Sequence, residues 1–89
     1  KEYEVINEYT FQIEASMRIE EANEEMELEL PDGDDYETVA GFVLDLLGHI
    51  PKVNEQLRYR DLKLVVTEMR GTKIEKILLT REEYVAPEN

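Results

Sequence analysis

Between Pro31-Asp32-Gly33-Asp34-Asp35 and Gly48-His49-Ile50-Pro51 runs a segment in which Tyr36, Val39, Ala40, Val43, Leu44, Leu47 and Ile50 recur at helical spacing, widened by Phe42 and Leu46. A stripe that wide is stable only when laid against another element. The spacing predicts a helix over 36–50 as the centre of the core, capped by Asp34 or Asp35 and stopped by Gly48 and Pro51. Leu44 and Leu47 are expected deep in that core. Gly41 is unfavourable inside a helix, and its presence points to a close approach of a neighbouring element.

The remaining chain must supply what the helix packs on. From Tyr9 apolar and polar residues alternate, with Phe11, Ile13 and Ala15 on one side and Gln12 and Glu14 on the other, as in a strand with one buried face. Ser16 is placed to cap a short helix in which Ile19, Ala22 and Met26 share a face and the early glutamates favour the positive end of the dipole. Beyond Pro51 the period becomes two, through Leu57 and Tyr59, then Leu62, Leu64 and Val66, then Ile77 and Leu79. This pattern predicts a three-stranded meander turning at Arg60-Asp61 and at Arg70-Gly71-Thr72. Ile74 falls out of phase with Ile77, which places a β-bulge near Glu75. The fold class is α+β: a mostly antiparallel sheet of about four strands with two helices on one face, in the order β-α-α-β-β-β. Residues 1–8 read as a linker or lead-in, 9–81 as the domain and 82–89 as a frayed tail. The other sheet face is partly apolar at Val65 and Leu78.

Eighty-nine residues, 42% apolar and 36% charged, make one domain with one core. The net charge of −12 repels phosphate backbones and anionic lipid, so nucleic acid and direct membrane insertion are not expected. The charge is lopsided. Residues 1–49 hold 15 acidic and two basic side chains, whereas 50–89 hold seven and eight. Solvated helix faces account for such an acidic half, and a basic partner or loosely held cations would also meet it. With no cysteine there is no disulfide, thiol nucleophile or thiolate metal site. The longest mainly apolar stretch, 39–50, is too short to cross a bilayer. A chain that opens at Lys1 in polar sequence is expected to be a piece of a longer polypeptide.

No catalytic residue is nominated and no enzyme is expected. Ser16 and His49 are the lone serine and histidine, without a signature that would pair them with an orienting acid. The four glycines, Gly33, Gly41, Gly48 and Gly71, are too scattered to cradle phosphate. The one constellation with a chemical flavour is Asp32, Asp34, Asp35 and Glu37, since hard cations prefer several carboxylate oxygens in a flexible loop. Its spacing departs from an EF-hand, and helix capping competes as the explanation. No cofactor is expected.

The runs Leu30-Pro31-Asp32, Tyr36-Glu37-Thr38-Val39-Ala40-Gly41-Phe42-Val43-Leu44 and Leu47-Gly48-His49-Ile50-Pro51-Lys52-Val53 resemble the CorC/HlyC transporter-associated domain. The likeness continues through Glu55, the 59–64 hairpin and Ile74, Ile77, Leu79 and Arg81, reaches back through Ile19-Glu20-Glu21-Ala22-Asn23, and covers about residues 9–81. Asn54 stands where that family usually has glycine, and Ala15-Ser16 where it often has aspartate-glycine. The resemblance implies an accessory domain on the cytoplasmic side of a membrane protein, often with paired CBS domains, of the magnesium and cobalt efflux or haemolysin-like type. It implies no catalytic residues. The expected role is regulation or assembly of an ion transporter by packing against neighbouring domains or against its own copies. The alternative is a small-ligand sensor for a nucleotide or a divalent cation.

Overall fold

A computed structural model describes residues 1–82. In chain order the elements are strands Tyr3–Asn7 (β1) and Thr10–Glu14 (β2), helices Ile19–Met26 (α1) and Val39–Leu47 (α2), and strands Gln56–Tyr59 (β3), Leu62–Arg70 (β4) and Lys73–Arg81 (β5). The strands form a single antiparallel sheet in the order β1-β2-β5-β4-β3. The link from β2 to β3 therefore crosses from one side of the sheet to the far edge. It carries both helices over one face on the way.

Register explains which face that is. Phe11, Leu79, Leu64 and Leu57 stand opposite one another across four strands, and Ile13, Ile77 and Val66 form the next row. Directly opposed residues share a face. These rows join Ile19, Ala22 and Met26 of α1 and Val39, Phe42 and Val43 of α2 in one core. Phe42 meets Tyr59 edge to face, with ring centroids 5.2 Å apart. On the opposite face Val65 and Leu78 pair at half-burial among polar neighbours, where the Gln12 side-chain amide donates to the Thr67 hydroxyl at 2.9 Å.

The bulge expected near Glu75 is present, and it has a counterpart. Val66 faces Ile77, Glu68 faces Lys76 and Met69 faces Ile74, so Thr67 is skipped on β4 and Glu75 on β5. The two offsets compensate, which returns Ile74 to the core face. The Glu75 carbonyl accepts from the Ala15 N–H at 2.9 Å. The turns at Arg60-Asp61 and Gly71-Thr72 lie where expected, with Arg60 and Gly71 in the left-handed region.

Four expectations are corrected. Residues 1–8 are not a lead-in, because Tyr3–Asn7 pairs with β2 as an edge strand. Tyr3 alone of that strand is half-buried, so it lacks a legible alternation. The second helix is shorter than 36–50: Thr38 is its N-cap, its hydroxyl accepting from the Gly41 N–H at 3.1 Å, and Asp34 and Asp35 do not cap it. Ser16 does not cap α1 either, whose N-cap is Arg18 without a side-chain bond. Leu44 and Ile50 stay at the surface, 36% and 55% exposed. Their expected places in the core are taken by Met17, Leu28 and Leu30, all buried and all in irregular segments, while Ala15 is buried as expected. Of the expected frayed tail, 83–89 lies outside the described residues. Glu82 itself donates its N–H to the Asp61 carbonyl at 2.7 Å and pairs with Arg58 at 3.0 Å.

Tyr36 lies across two glycines. A Cβ on Gly33 would sit 2.3 Å from the Tyr36 ring and one on Gly41 would sit 2.6 Å from the Tyr36 Cβ, so the close approach at Gly41 comes from the lead-in to its own helix and not from a neighbouring element. A domain of this length has about 4 to 13 kcal/mol of stability in all. Ile77→Ala, at a fully buried position on the central strand, is expected to cost about 2 to 5 kcal/mol, and Leu44→Ala about 1 kcal/mol or less. Urea melts of the two variants check the contrast.

Candidate functional site

Among the described residues Ser16 and His49 are not brought together. Ser16 and His49 are both exposed and lie on different connections, and neither borders the open clefts beside Tyr59 and Arg81, beside β1, or beside Arg18 and Tyr36. The N-terminus of α2, the natural place for a phosphate, is closed by the protein itself. Val39 N–H donates to the Met17 carbonyl and Ala40 N–H to the Ala15 carbonyl, each at 2.9 Å, and Gly41 N–H is taken by Thr38.

The four carboxylates singled out in the sequence are only partly gathered. Asp32 and Glu37 line a cleft of about 250 Å³ with Arg18, Glu20 and Tyr36, while Asp34 and Asp35 do not border it. The Arg18 guanidinium lies 3.8 Å from Glu37 and already supplies positive charge there. Among the described residues no three His, Asp or Glu side chains stand close enough to hold a metal ion. Tyr36 donates its hydroxyl to the Pro31 carbonyl at 3.0 Å, and burial, followed by the negative charge of Asp45, pushes its pKa up.

The end of α1 holds two side chains that pattern reading passed over. Asn23 donates to the Leu30 carbonyl and accepts from the Leu30 N–H, both at 2.9 Å. This two-way clamp folds Leu28 and Leu30 back beneath the helix. Glu27 ends α1 with φ +52, and no basic residue stands in its last turn. Arg81 from β5 fills that role: its guanidinium donates to the carbonyls of Met26 at 3.0 Å and Glu27 at 2.5 Å, where the negative end of a helix dipole favours a cation. The only signal in the sequence was an asparagine inside a helix, a residue that favours bonding to backbone over helix continuation.

A second surface feature is the C-terminal end of α2 with the turn that follows. Leu44, Leu47, Ile50 and Val53 recur every three residues across the helix end. Leu47 is half-buried, and Ile50 and Val53 are 55% and 51% exposed. Gly48 closes the helix at φ +75. The turn is held rigidly although it is exposed. Asn54, at φ +76, donates its N–H to the Val66 carbonyl, Val66 returns a bond to the Glu55 carbonyl at 3.0 Å, and Lys52 N–H donates to the Glu55 carboxylate at 3.0 Å. Asparagine thus takes the left-handed position that glycine would otherwise fill. His49 bridges the two parts, with Nδ1 3.1 Å from the Leu47 carbonyl and Nε2 2.5 Å from Glu55. The Lys52 N–H, and then His49, hold the Glu55 carboxyl below the usual carboxylate range. An exposed apolar run on a well-held backbone is a surface suited to packing against another protein surface.

Asn23→Ala leaves the Leu30 N–H and carbonyl without partners in a part-buried place and is expected to cost about 1 to 3 kcal/mol. Asn23→Asp, which keeps the acceptor and loses the donor, should fall between it and wild type in the same urea melts.

The model of the CorC_HlyC family, described as the transporter associated domain, matches residues 4–83. Hemolysin C of Brachyspira hyodysenteriae is 33% identical over 73 residues, 81% of this chain and 27% of its own length. A polyamine export protein of Haemophilus influenzae is 29% identical over 75 residues, 83% of this chain and 17% of its own. The chain spans only 8% of a chloroplastic DUF21 domain-containing relative from Arabidopsis thaliana, with 36% identity over 52 residues. Among solved structures, the domain of a Xylella fastidiosa Temecula1 hemolysin in complex with Mg²⁺ and Mn²⁺ superposes with a TM-score of 0.81 at 26% identity, covering 93% of this chain and all of that one. With the sheet order, the paired helices and a family match over nearly all described residues in agreement, the chain belongs to the CorC_HlyC family of transporter-associated domains.

Proposed function

We propose that this chain is an accessory regulatory or assembly domain of a membrane ion transporter of the magnesium and cobalt efflux type, lying on the cytoplasmic side and acting through contact with neighbouring domains or its own copies. The observation that carries the reading is the exposed run of Leu44 on α2 with Ile50 and Val53 in the turn that follows, which is tied to β4 through Asn54 and Glu55. Apolar side chains held in water on a rigid backbone favour docking, because little conformational freedom remains to be lost on contact. The strongly acidic first half supplies a long-range field that orients a basic neighbour during approach. Among the described residues no helix is long and apolar enough to cross a membrane. The membrane region, and the choice among Mg²⁺, Co²⁺ and organic cations such as polyamines, belong in this reading to the rest of the parent protein.

A second reading, divalent-cation sensing, draws on the Mg²⁺ and Mn²⁺ carried by the Xylella domain and on the open cleft that Glu20, Asp32 and Glu37 border without gathering into a ligand set. The nucleotide version of a sensor is left without support by the closed N-terminus of α2. Chemical-shift titration separates the readings. Saturable shifts around 18–37 with Mg²⁺ favour the cation sensor, whereas an assembly domain shows none with Mg²⁺, adenine nucleotides or FAD.

Replacing Leu44, Ile50 and Val53 together with serine should leave the isolated domain folded, with a small change in melting temperature, since all three are exposed. In the full-length parent the same substitutions should alter transport, assembly or ion sensitivity as strongly as deletion of the domain. Unchanged transport, assembly and ion sensitivity after deletion would count decisively against the proposal.

A further inference from the structure

The sheet ends in two edges. On the β3 side the edge is four residues long and follows directly on the turn that carries Ile50 and Val53. On the other side β1 is the last strand, and its Val5 and Ile6 stand 57% and 52% exposed. The Glu14 N–H donates to the Glu2 carbonyl at 2.8 Å, and the ladder continues with Tyr3 opposite Ile13, Glu4 opposite Gln12 and Val5 opposite Phe11. Along an antiparallel strand the backbone groups face the neighbour and the open side in turn. Glu2 and Glu4 therefore bond inward to β2, while Tyr3 and Val5 aim their N–H and C=O groups away from the sheet. The register slips between Val5 and Asn7, which leaves the straight part of the edge at residues 2–5. Such a row of free donors and acceptors is a template for another strand.

The side chains decide which strand. Tyr3 and Val5 share the core-facing side of the sheet with Ile13 and Phe11, and Glu4 lies on the opposite side with Gln12. Carboxylates flank the edge throughout. Glu25 of α1 accepts from the Tyr3 hydroxyl at 3.2 Å, and Glu2 pushes the Glu21 pKa up by a hydrogen bond and then by its charge. Glu4 and Glu14 border the open cleft beside β1. The cations nearby are Lys1, over the Tyr3 ring at 5.4 Å, Arg18, whose charge partly offsets that of Glu2 at Glu21, and Lys76, opposite Glu14.

A second copy of the chain is a poor match for this edge. Because Tyr3 and Val5 are the outward residues, two copies can pair antiparallel in registers centred on Tyr3, Glu4 or Val5. These set Glu2 against Glu4 of the other copy, Glu4 against itself, or Glu2 against Glu8. Like charges directly opposed across two strands are destabilising, and opposite charges stabilise. We propose that β1 receives an extended segment of another polypeptide, with lysine or arginine at alternate positions, as a sixth strand of the sheet. The edge lies across the sheet from the α2 surface and does not depend on it, so either contact can fail without the other.

The test is a titration of the chain with the acetylated and amidated peptide Lys-Thr-Lys-Val-Lys-Thr-Lys at low salt, followed by amide exchange. With free peptide at about ten times its Kd, the Tyr3 and Val5 amides are expected to slow by about tenfold, the factor by which the unbound form is depleted. Glu4→Gln should weaken binding about two- to fivefold, the size of one exposed ion pair. Val5→Pro removes one outward N–H and no bond to β2, and should weaken binding by about tenfold while β2 and β5 amides keep their protection. A fully N-methylated copy of the peptide, equal in charge and without backbone N–H groups, should leave Tyr3 and Val5 exchanging as in the free chain. Absence of binding, or binding that leaves those two amides unslowed, would overturn the proposal, the latter by showing attraction to the acidic surface alone. Slowing of the same amides with rising protein concentration and no peptide would overturn it in favour of a second copy. Loss of peptide capture in the combined Leu44→Ser, Ile50→Ser and Val53→Ser variant would overturn it by placing the contact at α2.

Discussion

Three backbone hydrogen bonds join the link after β2 to the start of α2: Ile19 N–H to the Glu37 carbonyl, Val39 N–H to Met17 and Ala40 N–H to Ala15, each at 2.9 Å. Residues 15–19 and 37–40 thus run side by side between sheet and helices, with a bridge between Arg18 and Thr38. Buried backbone groups without partners would be costly here, because Ala15, Met17 and Val39 are all fully buried. Both helices start from this pairing, so it sets where each lies on the sheet. It also occupies the donors at the N-terminus of α2 that could otherwise hold an anion, which ties the fold directly to the absence of a phosphate cradle there.

The elements with a clean period were legible. Alternation located β2, β4 and β5, Gly71 located its turn, and the phase slip at Ile74 located the bulge. The second helix was legible in kind and overstated in length, because apolar content on Leu44, Leu46 and Ile50 reads as burial when the residues in fact lie at the surface. Composition does not distinguish a core face from a docking face. The converse error concerned Met17, Leu28 and Leu30, core residues in segments too short to show a period. Their burial follows from long-range backbone bonds and from the Asn23 clamp, and neither leaves a trace in local spacing. β1 was missed for a related reason, since an edge strand with one half-buried residue has no pattern to read.

The candidate surface was legible only as punctuation. Gly48 and Pro51 marked a helix end, and Asn54 marked a left-handed residue. The acidic turn attracted attention as a metal loop, yet it does its visible work through Tyr36, whose ring and Cβ fill the space above Gly33 and Gly41. The residues that shape the surface most, His49 and Glu55, sit six apart, and nothing in the sequence pairs them. Their contact comes from the tight return of the chain at Lys52 to Glu55, where the Glu55 N–H bonds the Lys52 carbonyl at 3.0 Å.

The sheet order has a mechanical consequence. β1 and β5 run in the same direction with β2 antiparallel between them, so Tyr3 and Arg81 lie toward opposite ends of the sheet. A load drawn between those two points acts along the strands and stresses the β1·β2 and β2·β5 ladders in shear. All rungs then share the force, in contrast to a zipper opened one rung at a time. Such a sheet passes displacement from one end to the other before it yields, as a stiff strut does.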